Sequence, residues 1–214
     1  ISSSRIMSHL GFGLLIFFIV MNHNFSIEGN FNTKLGESNF VENYTFEKGI
    51  IELCEVALNQ FATAEKKISI EQCNIKIDPN KLWEVWCNLR SKITFDDLAA
   101  MEIQNFEELG FPVKWEYEQG EKIKEVEISN AINQYQKDCS YVDGLFDEYD
   151  ILALPSAQLF PFDKEIDFPK SIQETQMDTY HRWMEVTVFA SMFQLPTISV
   201  PVSYTHLRAH ETYK

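Results

Sequence analysis

The sequence predicts an α/β fold from two features of its 214 residues. Two short apolar runs, residues 151–154 and 197–200, border prolines and are typical of buried strands. Elsewhere, apolar residues recur every three or four positions, most clearly over residues 122–146, which indicates a long amphipathic helix. A chain of this length can bury one sizeable core.

Composition and charge narrow the class of protein. Hydrophobic residues make up 45% of the chain and charged residues 23%, which is typical of a globular protein and not of a disordered one. The formal net charge is -14. Because phosphate binding needs clustered lysine and arginine, this charge argues against nucleic acid as a direct partner. An acidic surface most simply serves solubility.

The four cysteines, Cys54, Cys73, Cys87 and Cys139, are widely spaced. No C-x-x-C pair occurs, so the sequence predicts neither a zinc site nor a redox motif. Cys54, Cys87 and Cys139 lie on helical patterns beside apolar residues and are interpreted as buried free thiols in a reducing compartment. This interpretation predicts a cytoplasmic protein. Because the count is even, a secreted disulfide-bonded protein is the alternative.

Residues 1–45 are set apart as an N-terminal segment with three competing interpretations. The apolar run at residues 11–21, GFGLLIFFIVM, is too short to span a bilayer. It is a buried strand of the domain, the core of a signal peptide that begins at Met7, or mistranslated flanking sequence. A membrane-associated or secreted location would depend on this run and on the glycosylation sequons at Asn24 and Asn43.

The end of the chain, residues 202–214, is interpreted as an artefactual tail. Residues 202–212 read VSYTHLRAHET, which looks like an in-frame translation of a transposase sequencing adaptor. His206 and His210 lie four positions apart, a spacing that occurs in metal sites, but on this interpretation they bind no metal. A genuine polar tail is the alternative.

The first half of the chain between these ends has three predicted elements. Residues 26–44 are expected to form a loop, residues 46–66 a helix and residues 68–77 a strand. Asp78 is the expected N-cap of the next helix, with Pro79 at its first position.

The second half is expected to alternate helices and strands. Residues 82–109 predict two helices, broken near Thr94. The strands at residues 151–154 and 197–200 are expected to be parallel neighbours, joined through a helix by a right-handed crossover.

The stretch from residue 149 to residue 201 carries the most information about function. Its first strand is followed by a loop with Gln158, Phe160 and Phe162, and its second strand follows Leu195-Pro196. A predicted helix between them carries Asp178, Tyr180, His181, Arg182 and Trp183. Together with Asp78-Pro79-x-x-Leu82-Trp83, this order resembles the C-terminal part of the amidase signature family, the serine amidases that include amidotransferase A subunits.

The resemblance implies a fragment of a large mixed β-sheet surrounded by helices, with residues 46–201 as the C-terminal portion of an amidase domain. It implies hydrolysis of, or transfer from, a carboxamide C–N bond without a cofactor or a metal. In the family a serine nucleophile, a second serine in a cis peptide bond and a neutral lysine carry the reaction. The nucleophile lies in a Gly-Gly-Ser-x-Arg-(Ile/Val)-Pro segment, which Ser2-Ser3-Ser4-Arg5-Ile6-Met7 partly matches.

Ser3 is therefore the candidate nucleophile. In this match Ser2 replaces the second glycine and Met7 the proline, and the sequence carries no lysine or Gly-rich stretch before them. A frayed serine-rich terminus explains these residues equally well. The sequence thus predicts a chain that is itself inactive. The alternative is a non-catalytic paralogue or binding module with a degenerate amidase fold.

Four residues are predicted to bind a small-molecule amide in the parent protein. Loops beyond the carboxyl ends of strands are where α/β folds place ligand pockets, which makes Gln158 and Phe160 candidates, with packing as the alternative for Gln158. Tyr180 and Trp183, on the helix expected to cover this region, are the other two, with core packing as the alternative.

His181 raises one further possibility. It lies four positions before Glu185, and the two are expected either to pair on a helix surface or to pack as structural residues. With Asp178 they have a spacing that resembles a set of metal ligands. A single histidine on one helix does not indicate a metal site, and the amidase resemblance implies none.

Overall fold

The structure, a computed structural model, describes residues 16–21, 31–32, 43–64, 68–71, 73–101 and 106–201. Ser3, most of the predicted loop at residues 26–44 and the tail at residues 202–214 lie outside the described residues. The strands are β1 (Ile16–Met21), β2 (Phe31–Asn32), β3 (Ile68–Ser69), β4 (Ile151–Pro155), β5 (Ser171–Ile172), β6 (Thr175–Gln176) and β7 (Thr197–Pro201). The helices are α1 (Ile50–Ala64), α2 (Pro79–Ala100), α3 (Phe111–Lys122), α4 (Glu125–Leu145) and α5 (Val188–Met192), with 3-10 helices at Phe106–Glu108 and Arg182–Thr187. The mixture of helix and strand agrees with the α/β prediction.

The principal sheet has three strands in the order β4-β1-β7. The central strand β1 runs antiparallel to both neighbours, with Ile19 opposite Ala153 on one side and Ile198 on the other. The predicted pairing of β4 with β7 is therefore wrong, because β1 lies between them, although the two strands do run in the same direction. The strand interpretation of residues 11–21 holds for the part that the structure describes, Ile16–Met21.

The segment predicted as a strand at residues 68–77 is a strand only over β3, which pairs in parallel with β2. Ile75 and Ile77 are buried, so the alternation correctly marked residues that face the core. The backbone between these two residues pairs with a side chain instead of a strand. The Lys76 N–H donates a hydrogen bond to the Tyr141 hydroxyl at 2.9 Å. A side chain thus satisfies a group that a neighbouring strand would satisfy in a sheet.

Helix α2 begins where the sequence predicts, but it does not break. The Asp78 Oδ1 accepts the Asn80 N–H at 2.9 Å, and Pro79 occupies the first helical position. Thr94 lies inside the continuous helix, so the predicted break is wrong. A β-branched residue costs a helix only a few tenths of a kcal/mol, and the packing of α2 against α3 and α4 outweighs this.

The helix predicted around residues 178–183 begins later than expected, at Arg182. Asp178, Tyr180 and His181 precede it in a turn. The rings of Tyr180 and His181 stack face to face, with centroids 4.3 Å apart and planes 9° apart. Neighbouring residues of an α-helix point about 100° apart and cannot stack in this way, so the stacking excludes a regular helix here.

The core lies between the helices and the principal sheet. The predicted helices at residues 46–66 and 122–146 are confirmed as α1 and α4, whereas α3 was not predicted. The largest cluster of buried apolar side chains includes Leu82, Trp83, Val142, Leu145, Leu152, Leu154, Val186 and Phe189. Across the described ranges, no helix has the length and apolar character that crossing a membrane would require.

Candidate functional site

Glu116 forms the centre of a buried polar cluster between α2, α3 and the segment 178–182. Only 2% of this residue is exposed. Its carboxylate accepts hydrogen bonds from Arg90 Nε at 2.6 Å, from Ser91 Oγ at 2.5 Å and from the Tyr180 hydroxyl at 3.0 Å. These donors and the arginine charge compensate for burial, so the carboxylate is held in place by its protein partners.

His181 lies beside this cluster in an aromatic enclosure. Its ring stacks on Tyr180, and its Nε2 lies 3.5 Å from the Glu116 Oε1. The rings of Trp83, Trp86 and Trp115 surround it at centroid distances of 4.8, 5.0 and 5.5 Å. Neither ring nitrogen has a hydrogen-bond partner among the described residues. Burial lowers the pKa of His181 to about 4, so the ring is neutral at pH 7.

The expected surface pairing of His181 with Glu185 does not form. Both residues are buried, and Glu185 instead pairs with the Arg182 guanidinium. Burial raises the pKa of Glu185 to about 7, against the opposing effect of that guanidinium. Asp178 is exposed and lies 3.6 Å from Arg182. The described residues contain no group of three side chains that could hold a metal ion.

Gln158, a predicted substrate-binding residue, is completely buried. Its Nε2 donates to the Thr45 carbonyl oxygen at 3.1 Å and to the Glu185 Oε1 at 3.5 Å. Its Oε1 accepts the Val186 N–H at 3.3 Å. The side chain therefore connects the loop after β4 to the 3-10 helix Arg182–Thr187 and to the segment before α1. The sequence analysis offered packing as the alternative for Gln158 but did not identify these partners.

The other three predicted substrate-binding residues are half-buried and lie in two places. Phe160 packs against the apolar residues of α1, and its N–H donates to the Glu47 carboxylate at 2.8 Å. Trp183 makes an edge-to-face contact with Phe162 at 5.4 Å, and its indole N–H donates to the Tyr180 carbonyl oxygen at 3.1 Å. The structure thus brings Tyr180 and Trp183 together, and Phe160 lies apart from them.

A groove of about 460 Å³ opens between α2, α3 and the segment 178–182. Its apolar walls include the indoles of Trp83 and Trp115. Polar side chains of Glu84, Asn88, Gln119 and Lys122 also line it. Sequence reasoning missed this groove, although positions 84 and 88 on α2, and 115, 119 and 122 on α3, have the spacing of one helix face.

The thiol in the groove is not a nucleophile. Cys87 lines the same surface, but burial raises its pKa to about 12, so the reactive thiolate does not form near neutral pH. All four cysteines of the chain are free, but of the three predicted to be buried, Cys54, Cys87 and Cys139, only Cys54 is; the other two are half-buried. Burial also raises the pKa of Cys54 to about 12.

Comparison with solved structures finds a likeness to an aryl acylamidase. A bacterial aryl acylamidase of the amidase signature family superposes on this chain with a TM-score of 0.56. The match has 15% sequence identity and covers 83% of this chain. At that identity the likeness concerns the fold alone, and the chain therefore has an amidase-like fold.

The match extends over only part of the enzyme. This chain spans 38% of the length of the acylamidase chain. No protein-family model matches the sequence, and a search of curated proteins gives no significant match.

Proposed function

We propose that this chain supplies part of an amidase-type domain, and that the complete protein cleaves or transfers from carboxamide C–N bonds. The observation that carries the proposal is the amidase-like fold over 83% of the chain. The order of strand, Gln158 loop, His181 turn and second strand supports it from the sequence. The substrate would be a small-molecule amide, and the reaction would use the Ser-Ser-Lys mechanism of the resembled family.

The exposure of β7 supports a larger sheet. Ile198 is 52% exposed, and its neighbours Thr197 and Ser199, which point to the opposite face, are exposed as well. In an α/β domain the strands of the central sheet are covered on both faces. We therefore interpret the order β4-β1-β7 as part of a large mixed sheet to which further elements contribute. The free thiols support a reducing compartment for the protein.

The 214-residue chain itself is proposed to be inactive. Among the described residues, Ser91 is 1% exposed and donates to Glu116, which is already bonded to Arg90. His181 is neutral but has no serine or thiol hydrogen-bonded to it. A nucleophile adjacent to a base that also faces open space is therefore not found in this part of the chain.

A binding module is the second candidate, and the groove favours it. The groove has aromatic walls and polar side chains, but the one thiol that lines it stays protonated. Binding without turnover fits such a surface better than catalysis does.

The release of 4-nitroaniline from 4-nitroacetanilide by the purified chain tests these proposals. We expect no release above the buffer rate. The matched variant Ser3→Ala decides what any activity would mean. Release that Ser3→Ala abolishes would make Ser3 a working nucleophile, and release that survives it would require a different catalytic site. Either result would contradict the proposed inactivity.

A further inference from the structure

Three charged side chains in the groove between α2 and α3 have no ionic partner, and they are Glu84 of α2, Lys122 of α3 and Glu127 of α4. None of them forms an ion pair with another described residue. The Glu127 carboxylate accepts the Lys124 N–H at 2.8 Å and so caps α4. Glu84 and Lys122 are therefore the negative and the positive group of the groove that have no bonding partner in the described part of the chain, and they are more than 4 Å apart. Arg182 and Asp178, which also line it, already pair with each other.

Neutral polar groups and aromatic walls complete the lining. The side chains of Asn88 and Gln119 are half-buried and make no hydrogen bond within the described structure. The Thr179 hydroxyl is buried at the groove and has no partner among the described residues. The indoles of Trp83 and Trp115 supply apolar surface. A small ligand could use the Asn88 and Gln119 side chains and the indole surface, since pockets for such ligands have volumes of roughly 300–1,000 Å³.

We propose that this groove binds a zwitterionic amino acid with an aromatic side chain. Its ammonium group would pair with Glu84 and its carboxylate with Lys122, while its ring would contact the indole of Trp115. A simple amine would be repelled by Lys122 and would leave it without a partner. A simple carboxylate would be repelled by Glu84 and would leave that residue without a partner. A zwitterion matches both charges. This binding goes beyond the proposed function, because it requires no amide hydrolysis.

Isothermal titration calorimetry with the full chain tests the proposal. The probes are L-phenylalanine, phenethylamine, which lacks the carboxylate, and 3-phenylpropanoate, which lacks the ammonium group. We expect L-phenylalanine to bind at least about fivefold more tightly than either analogue. Glu84→Gln should weaken the binding of L-phenylalanine and phenethylamine about fivefold and leave that of 3-phenylpropanoate unchanged or stronger. Lys122→Gln should show the reverse pattern for the two analogues.

Matched control variants lie on the same two helices. Lys81 of α2 and Glu118 of α3 are exposed and do not line the groove, so Lys81→Gln and Glu118→Gln should leave all three affinities unchanged. Absence of binding by L-phenylalanine at about 10 mM would overturn the proposal. Equal binding of phenethylamine and L-phenylalanine would overturn it as well. That comparison uses the unaltered chain, so it remains decisive if a variant fails to fold.

Discussion

Gly120 of α3 packs directly against the backbone of Ser91 in α2. A Cβ atom at Gly120 would lie 2.2 Å from the Ser91 carbonyl oxygen and 2.6 Å from the Cβ of Phe95. Only glycine fits such a close approach of two helices. The approach places Glu116, one turn earlier in α3, within reach of Ser91 and so builds the buried polar cluster.

Gly120→Ala should therefore destabilise the fold. The added methyl group has to push α3 away from α2, which we expect to lower the free energy of unfolding by about 3 kcal/mol. Gly144→Ala is the matched control, because a Cβ there meets nothing within 4 Å. In a helix the control should stabilise by about 0.5–1 kcal/mol. Urea denaturation measures both, and equal effects of the two substitutions would contradict the close packing.

Gln158→Ala should cost about 2–4 kcal/mol of unfolding free energy. The change removes the partners of the Val186 N–H and the Thr45 carbonyl oxygen, which remain buried without hydrogen bonds. Gln136, exposed on α4, is the matched control, and Gln136→Ala should change stability by less than about 0.5 kcal/mol. If Gln158 lined a substrate pocket instead, its replacement would have little effect on thermal or urea unfolding.

The pH dependence of stability should show two opposing contributions. The pKa of His181 falls from 6.5 to about 4 on folding, so the unfolded chain binds the proton first and stability is lost as the pH falls from 6.5 to 4. The pKa of Glu185 rises from 4.5 to about 7, so its contribution is lost as the pH rises from 4.5 to 7. Between pH 4.5 and 6.5 the two slopes oppose each other.

Single substitutions should separate these slopes. Glu185→Gln leaves the His181 contribution, so the stability of this variant should rise steeply between pH 4 and 6.5 relative to the unaltered chain. His181→Gln leaves the Glu185 contribution, so its stability should fall between pH 4.5 and 7 relative to the same reference. Urea unfolding across this pH range measures the slopes. Identical pH profiles for both variants would rule out the assigned burial of these two groups.

Phe189 should be more important for stability than Trp183. Phe189 is completely buried in the main core cluster, and we expect Phe189→Ala to cost about 3–5 kcal/mol. Trp183 is half-buried and contacts Phe162 edge-on, so Trp183→Ala should cost clearly less. Thermal unfolding of the two variants gives the comparison. A larger loss from Trp183→Ala would place that ring in the core and revise the position of the segment that carries it.

Strong periodicity made parts of the fold predictable. Helix α4 follows its apolar stripe, and β4 and β7 follow their apolar runs. The continuity of α2 through Thr94 was not predictable, because it depends on packing against a helix that the sequence did not reveal. That helix, α3, begins with Phe111-Pro112 and contains Gly120, and a glycine inside a helix weakens the usual signal.

The candidate site was less predictable than the fold. Glu116 and His181 are 65 positions apart in sequence and meet only because the segment 178–182 packs against α2 and α3. Gln158 was predicted either to face a ligand, from its place after a strand, or to pack, and in the structure its amide joins three segments that the sequence could not bring together. The groove was missed as well, although Glu84 and Asn88 lie one turn apart on the same face of α2.

The order β4-β1-β7 of the principal sheet is the feature of the fold that one measurement tests most directly. Nuclear Overhauser effects of the isotope-labelled chain test this order. We predict contacts from the backbone of Ile19 to both Ala153 and Ile198. We predict none between Ala153 and Ile198, which two strand spacings hold about 10 Å apart. Direct contacts between Ala153 and Ile198, without contacts of either to Ile19, would contradict the fold.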